Sequence, residues 1–260
     1  MDVGQYLQRI GYEGPLEPTL ETLRALHLRH LESVPFENLD IHARRPIVLD
    51  EEAFFDKVVR RRRGGFCYEL NGLFALLLRA LGFQVTYLSG RVSQDGIHDR
   101  GPEFDHLLLE ITLDGPWLVD VGFGDSFAEP LPLAPGQWAS QGQMFRLEQR
   151  GDDWRLTQEQ PDGTWKLHYV FTRVPRQLQD FSEMCRFHQT SPESFFLKNQ
   201  ICSRKTATGR VTLSGQRLII TEAGQREVRV LERAEEAEQA LLELFGVPRG
   251  SLGLFPFTPA

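Results

Sequence analysis

The chain has 260 residues, 41% of them hydrophobic and 25% charged, with a formal charge of −7 at pH 7. That length accommodates more than one packed unit, and the acidic balance disfavours a nucleic-acid partner, since the only basic run, Arg60–Arg63, has no aromatic residues interleaved on its N-terminal side. The start, Met1-Asp2-Val3-Gly4-Gln5, lacks the basic-then-apolar layout of a signal peptide, and no apolar run approaches the roughly 20 residues of a membrane span, so no membrane partner and a cytoplasmic location are expected.

In chain order, Val3, Tyr6, Leu7 and Ile10 form one apolar stripe, and a longer helix is predicted from Thr19 through Leu20, Leu23 and Leu31 to the break at Pro35. Asp50 is placed to cap a helix with Glu51 and Glu52 in its first turn, which leaves the arginines of 60–63 in a solvated last turn, as the helix dipole prefers. Leu70, Leu73, Phe74, Leu77, Leu78 and Leu81 then recur as one buried helical face stopped by Gly82. From Phe83 short β-rich runs take over, at 84–88, 106–113, 117–123, 145–149, 154–158 and 166–171, punctuated by Gly, Asp and Pro as in an antiparallel barrel or sheet. After Pro175 a mixed segment, 176–196, precedes strand-like runs at 210–213 and 217–221 and a helix from about Arg233 to Phe245, stopped by Gly246. The fold class expected is α+β, with a helical bundle over 1–82, a central antiparallel β-barrel over 83–175 and an α/β lid over 176–260.

The stretch Arg63-Gly64-Gly65-Phe66-Cys67 delivers a thiol to the first turn of a helix, where unpaired N–H groups and the positive dipole end favour thiolate. The same placement, on the apolar face, also suits a buried and inert cysteine. The other two cysteines, Cys185 and Cys202, have no such context; no C-x-x-C spacing signals a disulfide framework or zinc knuckle, and a reducing compartment fits. Two further segments bear on the choice: His106 begins a strand, and Asp120 lies in an apolar run, where a carboxylate requires a partner. In a hairpin, residues share a face when their numbers match the parity of the register. A two-residue Asp114-Gly115 loop sets the register sum at 229 and puts His106 and Asp120 on opposite faces. A three-residue loop, Leu113-Asp114-Gly115 with Gly115 left-handed, sets it at 228 and places Asp120 opposite Leu108, diagonal to His106 at about 7 to 8 Å. A Cys67 helix docked on that face completes a papain-like Cys-His-Asp site.

Cys67, His106 and Asp120 are also, formally, three zinc ligands, but the glycine-turn helix start favours a nucleophile and no metal is expected. His27 and His30 share a helix face without a metal-binding pattern around them, and a surface or core role is expected. Trp138, Trp154 and Trp165 flank turns and read as core or barrel edge.

Taken together with Glu69, Asn71, Val34-Pro35-Phe36-Glu37-Asn38-Leu39, Val119-Asp120-Val121-Gly122-Phe123-Gly124, Thr190-Ser191-Pro192 and Arg204-Lys205-Thr206, these motifs in this order closely resemble the arylamine N-acetyltransferase family across almost the whole chain. The resemblance implies acetyl-CoA as acyl-donor substrate and an arylamine, arylhydrazine or N-hydroxyarylamine as acceptor, joined through an acetyl-cysteine in a ping-pong mechanism. It implies Cys67 as nucleophile, His106 as base and acid, and Asp120 as the residue that orients it. It further implies an ion pair of Glu37 with Arg63, acceptor contacts at Phe36, Phe104 and Phe123, and CoA contacts at Gly122, Gly124 and Thr206. Natural-product amide synthases and, more distantly, cysteine peptidases and transglutaminases share the Cys, His, Asp order and are the alternative readings, while the intact triad argues against a binding protein on a degenerate acyltransferase body.

Overall fold

The structure, a computed structural model, describes residues 1–251. Helix α1 (Val3–Ile10) is capped by Asp2, which accepts from the Gln5 N–H, and ends at Gly11 in the left-handed region. Helix α2 (Leu20–Ser33) is capped by Thr19 and stops ahead of Pro35. Strand β1 (Phe36–Glu37) and the single turn α3 (Leu39–His42) follow, then α4 (Glu51–Phe55), capped by Asp50 and continued as a π-helical turn over Asp56–Arg60. Helix α5 (Cys67–Ala80) carries the apolar face the spacing predicts, and Leu70, Leu73, Phe74, Leu77 and Leu78 are fully buried.

The second part is an eight-stranded antiparallel sheet that curls into a nearly closed barrel. Its strands are β2 (Gln84–Val92), β3 (His106–Thr112), β4 (Pro116–Val119), β5 (Leu131–Pro132), β6 (Gly136–Ser140), β7 (Gln143–Arg150), β8 (Asp153–Glu159) and β9 (Trp165–Phe171), in the order β5-β4-β3-β2-β9-β8-β7-β6. Helix α5 packs on β3 and β2, so the core of the helical part and one face of the barrel are continuous. The predicted strand over 117–123 ends early, at Val119, because Asp120 accepts the N–H of Gly122 and turns the chain out of the ladder.

Beyond the barrel come a 3₁₀ turn (Leu178–Phe181), α6 (Ser182–Thr190) and α7 (Phe195–Lys198), which together fill the mixed segment. A second antiparallel sheet runs β1-β10-β11-β12-β13, with β10 (Ile201–Lys205), β11 (Gly209–Ser214), β12 (Arg217–Glu222) and β13 (Gln225–Val230). Helix α8 (Ala234–Phe245) covers it through Ala237, Leu241 and Phe245 and ends at left-handed Gly246. Strand β1 comes from the helical part, so this sheet stitches the beginning of the chain to its last third. The sequence pattern passes over β13 because Gln225, Arg226, Glu227 and Arg229 give a charged strand exposed on both faces, as a protected sheet edge requires. Of the chain's end, residues 252–260 lie outside the described residues.

The arginine run departs from the expected solvated helix end. Arg60 and Arg61 do face water, pairing with Glu52 and Asp56, but Arg62 adopts a positive φ of 53° and turns Arg63 inward, where it is fully buried. There Arg63 donates to Glu37 Oε1 from Nη2 at 2.7 Å and from Nε at 3.0 Å, and to Asp40 Oδ1 at 3.0 Å. Lys57, carried by the π-helical turn, lies 2.8 Å from both Asp40 Oδ2 and Glu69 Oε1. Burial alone would push the Lys57 ammonium down, yet the Glu37, Glu69 and Asp40 carboxylates hold it above its ordinary range. Three carboxylates therefore share two cations with almost no access to water. Replacing Lys57 by Met should cost about 3–5 kcal/mol, because Asp40 and Glu69 are left buried against each other without their cation. Urea denaturation of Lys57→Met checks this, and a wild-type midpoint would mean that the cluster contributes nothing to stability.

Candidate active site

Cys67 is the first residue of α5, and the helix begins there for a definable reason. Gly64 sits where any side chain would strike the Pro35 carbonyl, 2.0 Å from an added Cβ, so the two glycines let the chain pass beside β1. Glu69 then reaches back to accept the Phe66 N–H at 3.1 Å, closing the first turn in place of a side chain at the cap. The nucleophile candidate is 2% exposed. Burial pushes its thiol pKa well up, a hydrogen bond from the Leu107 backbone pulls it down, and the charges of Asp105 and Asp120 push it further up. Burial thus works against the thiolate that the helix terminus favours, and an isolated thiolate here is costly.

His106 and Asp120 meet as the three-residue loop requires. Strands β3 and β4 pair Leu109 with Val119, Glu110 with Leu118, Ile111 with Trp117 and Thr112 with Pro116, which is the 228 register. His106 Nε2 lies 2.7 Å from Asp120 Oδ2, and the two residues are 3% and 1% exposed. The turn itself differs from the expectation: Gly115 is not left-handed, because the residue before a proline is pushed to extended backbone, and the Leu113 N–H donates to the Gly115 carbonyl instead. Across the sheet, Gly90 pairs with His106, and a side chain there would come within 2.9 Å of Leu108 Cδ2.

Asp120 is also bound by Asn71 Nδ2 at 2.8 Å and by the Gly122 N–H at 2.9 Å. Burial works to raise its carboxyl, but His106, Asn71 and Gly122 together hold it below the usual carboxylate range. Sequence reasoning leaves Asn71 without a role. It lies four residues after Cys67, hence on the same helix face, and a lone amide among leucines is the signal that points to it. Its Nδ2 also donates to Leu107 O at 2.7 Å and its Oδ1 accepts from Val121 N–H at 2.9 Å, so one side chain locks α5 to β3 and to the turn after β4.

The implied contact residues divide. Phe123 stands edge-on to His106, with ring centroids 5.4 Å apart, and stacks on His168 at 4.8 Å. Phe36 packs on Phe196 and lies beside Gly124, whose φ of +92° favours glycine and where an added Cβ would sit 3.3 Å from the Phe36 ring. Phe104 packs on Phe181, with the Arg176 guanidinium over its ring. Gly122 is buried, with its N–H already taken by Asp120, and an added Cβ would come within 2.8 Å of Cys67 Cα. Its glycine serves the docking of α5. Thr206 follows β10 in a turn where its N–H donates to Gly209 O, and Arg210 ties that region to the Gly124 carbonyl.

His27 and His30 are core residues, as expected, and each has a partner. His30 Nδ1 is 2.7 Å from the Tyr6 hydroxyl. His27 Nδ1 is 3.0 Å from Ala128 O, while its Nε2 lies 3.1 Å from Asp120 O and 3.4 Å from the Asp120 N–H, so it braces the Asp120 turn from behind. Among the described residues, no group of three or more His, Cys, Asp or Glu side chains is arranged to hold a metal ion.

Comparison with known proteins places this arrangement in context. The family described as N-acetyltransferase matches residues 19–250. The arylamine N-acetyltransferase of Mycolicibacterium smegmatis is 38% identical over 259 residues, covering 97% of this chain and 94% of the relative. Among solved structures, the arylamine N-acetyltransferase of M. tuberculosis superposes with a TM-score of 0.91 at 34% identity, covering 99% of this chain and 100% of that one. The Mycobacterium marinum arylamine N-acetyltransferase in complex with CoA gives 0.89 at 35% identity, covering 97% and 95%.

Burial lowers the pKa of both His27 and His168 from 6.5 to about 4. The folded rings stay neutral until about pH 4, whereas the unfolded chain takes up a proton at each below about 6.5, so their stabilising share is complete above 6.5 and is lost as the pH falls toward 4. Each ring accounts for up to roughly 3 kcal/mol across that window. In His27→Gln the drop in urea midpoint between pH 7.5 and pH 4.5 should be smaller than in the wild type. An unchanged drop would place the proton uptake at other groups.

Proposed function

The chain belongs to the arylamine N-acetyltransferase family and is an acetyltransferase. From that premise we propose that it moves acetyl from acetyl-CoA to an arylamine, arylhydrazine or N-hydroxyarylamine through an acetyl-Cys67 intermediate. The observation that carries the reading is the buried 2.7 Å contact of His106 with Asp120, set on the face against which Cys67 and its helix dock. The CoA bound by the M. marinum relative supports the donor.

In this mechanism the thiol proton passes from Cys67 to His106 as Sγ attacks the thioester carbonyl carbon, so the costly thiolate never stands alone. Asp120 balances the imidazolium and fixes its orientation. The Cys67 N–H, in the first turn of α5 where N–H groups have no intrahelical partner, is a donor for the oxyanion. Collapse breaks the bond from the acetyl carbon to the CoA sulfur, and His106 returns its proton to the departing CoA thiolate. The amine then attacks the acetyl carbon beside Phe36 and Phe123, gives its proton to His106, and displaces Cys67, which recovers that proton. Gly124 and the Thr206 turn remain candidates for CoA contacts, while the Gly122 N–H is already committed within the site.

Acetyl-CoA without an amine should add one acetyl group to Cys67 by intact mass, with a stoichiometric burst of CoA, and Cys67→Ala should lose both. With both substrates varied, double-reciprocal plots should be parallel. Acetylation mapped to Cys185 or Cys202, or intersecting lines without a burst, would overturn the covalent role of Cys67.

Asp120→Asn should keep the fold largely intact and slow acyl-enzyme formation by about 10³-fold or more, since the amide presents a donor where His106 needs an acceptor. Stopped-flow measurement of the CoA burst checks this. A near-wild-type burst in the folded variant would remove Asp120 from the mechanism.

A further inference from the structure

The residue pair immediately ahead of His106 is held in an unusual way. Phe104 has φ of 64°, in the left-handed region that a bulky side chain rarely occupies, and Asp105 follows it into β3. Three separate segments converge on this strained corner. From β2, Ser89 Oγ accepts the Phe104 N–H at 2.8 Å. From α5, the Tyr68 hydroxyl lies 2.7 Å from the Phe104 carbonyl and 3.2 Å from that of Asp105. From α6, His188 Nε2 lies 3.3 Å from the Asp105 carbonyl and 3.2 Å from its Oδ1.

Both side chains are well placed to act as fixed struts. Tyr68 and His188 are 0% and 4% exposed, and Phe66, Phe196 and Phe187 pack around the imidazole. Because Nε2 faces two oxygens, it must carry a hydrogen, while Nδ1 has no hydrogen-bond partner among the described residues. Ser194 Oγ donates to the His188 carbonyl at 2.9 Å and steadies the end of α6. Tyr68 is the neighbour of Cys67 in sequence, so the same hydroxyl links the start of the nucleophile's helix to the backbone that feeds the base.

We propose that His188 and Tyr68 are positioning residues that hold Phe104 left-handed and thereby set the angle at which His106 meets Cys67. This rests on the reading of Cys67 and His106 as partners in proton transfer. Without the two struts the Phe104 backbone relaxes to negative φ, the Asp105-His106 peptide rotates, and the imidazole leaves its working geometry while the His106–Asp120 contact and the core persist.

The test compares Tyr68→Phe, His188→Leu and His188→Gln with the wild type in two assays. One is the rate of acetyl-Cys67 formation resolved into maximal rate and KM for acetyl-CoA. The other, independent of turnover, is the pH dependence of Cys67 alkylation by iodoacetamide, with Asp105 and Asp120 as the charges that bear on the thiol. Tyr68→Phe and His188→Leu should lower the maximal acylation rate by about tenfold or more and leave KM within about threefold, as expected for misplacement of the base. Their alkylation midpoints should move to higher pH, and His188→Gln, which keeps a donor toward Asp105, should restore both readouts. Should His188→Leu fail to fold, Tyr68→Phe, which removes one hydroxyl, carries the test alone. A folded Tyr68→Phe protein with wild-type acylation and alkylation profiles overturns the proposal. A wild-type enzyme that is not acetylated at Cys67 instead defeats the underlying mechanism, and the alkylation profiles still judge the struts.

Discussion

Everything at the centre of this molecule depends on a carboxylate that has been taken out of water. Asp120 is 1% exposed and survives as an anion because three donors from three places reach it: His106 from β3, Asn71 from α5 and the Gly122 N–H of its own turn. Each donor also does a second task. Asn71 bonds Leu107 and Val121, and Gly122 lets the start of α5 approach. The charge cannot be satisfied unless helix, strand and turn are all in place, so the requirement to pair one buried anion specifies how the helical part docks on the barrel.

A second set of buried charges fixes the other side of the same helix. Glu69 binds the Phe66 N–H with one oxygen and Lys57 with the other, while Glu37 takes Arg63 with one oxygen and the Leu39 N–H with the other. The cluster of Glu37, Asp40, Glu69, Lys57 and Arg63 carries one more negative charge than positive. That excess lies below the N-terminus of α5, where the helix dipole and free N–H groups are positive. The π-helical turn that carries Lys57 and the left-handed Arg62 are local irregularities with a common effect: both deliver a cation to this cluster.

What could be read from the sequence follows from which forces leave a periodic trace. The apolar face of α5 and the register of the β3–β4 hairpin are legible because 3.6-residue and two-residue periods are direct consequences of backbone geometry. Parity alone leaves two loop lengths open, and the three-residue loop that lets His106 and Asp120 share a face is the one present, even though the left-handed Gly115 expected with it is prevented by Pro116. The family resemblance rests on Cys67, His106, Asp120 and their flanking motifs, which are contiguous in sequence. The supports are not contiguous. Asp40, Lys57, His27 and His188 each act through a partner between 12 and 101 residues away, and no local pattern announces such pairings. The strands β1 and β10 are hidden for the same reason, since neither has an alternating pattern of its own and each is stabilised by the other.

The burial that makes these pairings compulsory also shapes how the site can react. A helix N-terminus favours an ionised cysteine, whereas burial at 2% exposure works to keep the proton on sulfur wherever no charged partner stands beside it. Charge can then be created only in balanced steps, by passing that proton to an imidazole whose own charge is met by Asp120. Reactivity then depends on the alignment of the pair, and small errors in the placement of His106 are costly. That is why the surrounding structure invests so heavily in the backbone on either side of His106: Asn71 holds the Leu107 carbonyl after it, and Tyr68 and His188 hold the carbonyls of Phe104 and Asp105 before it.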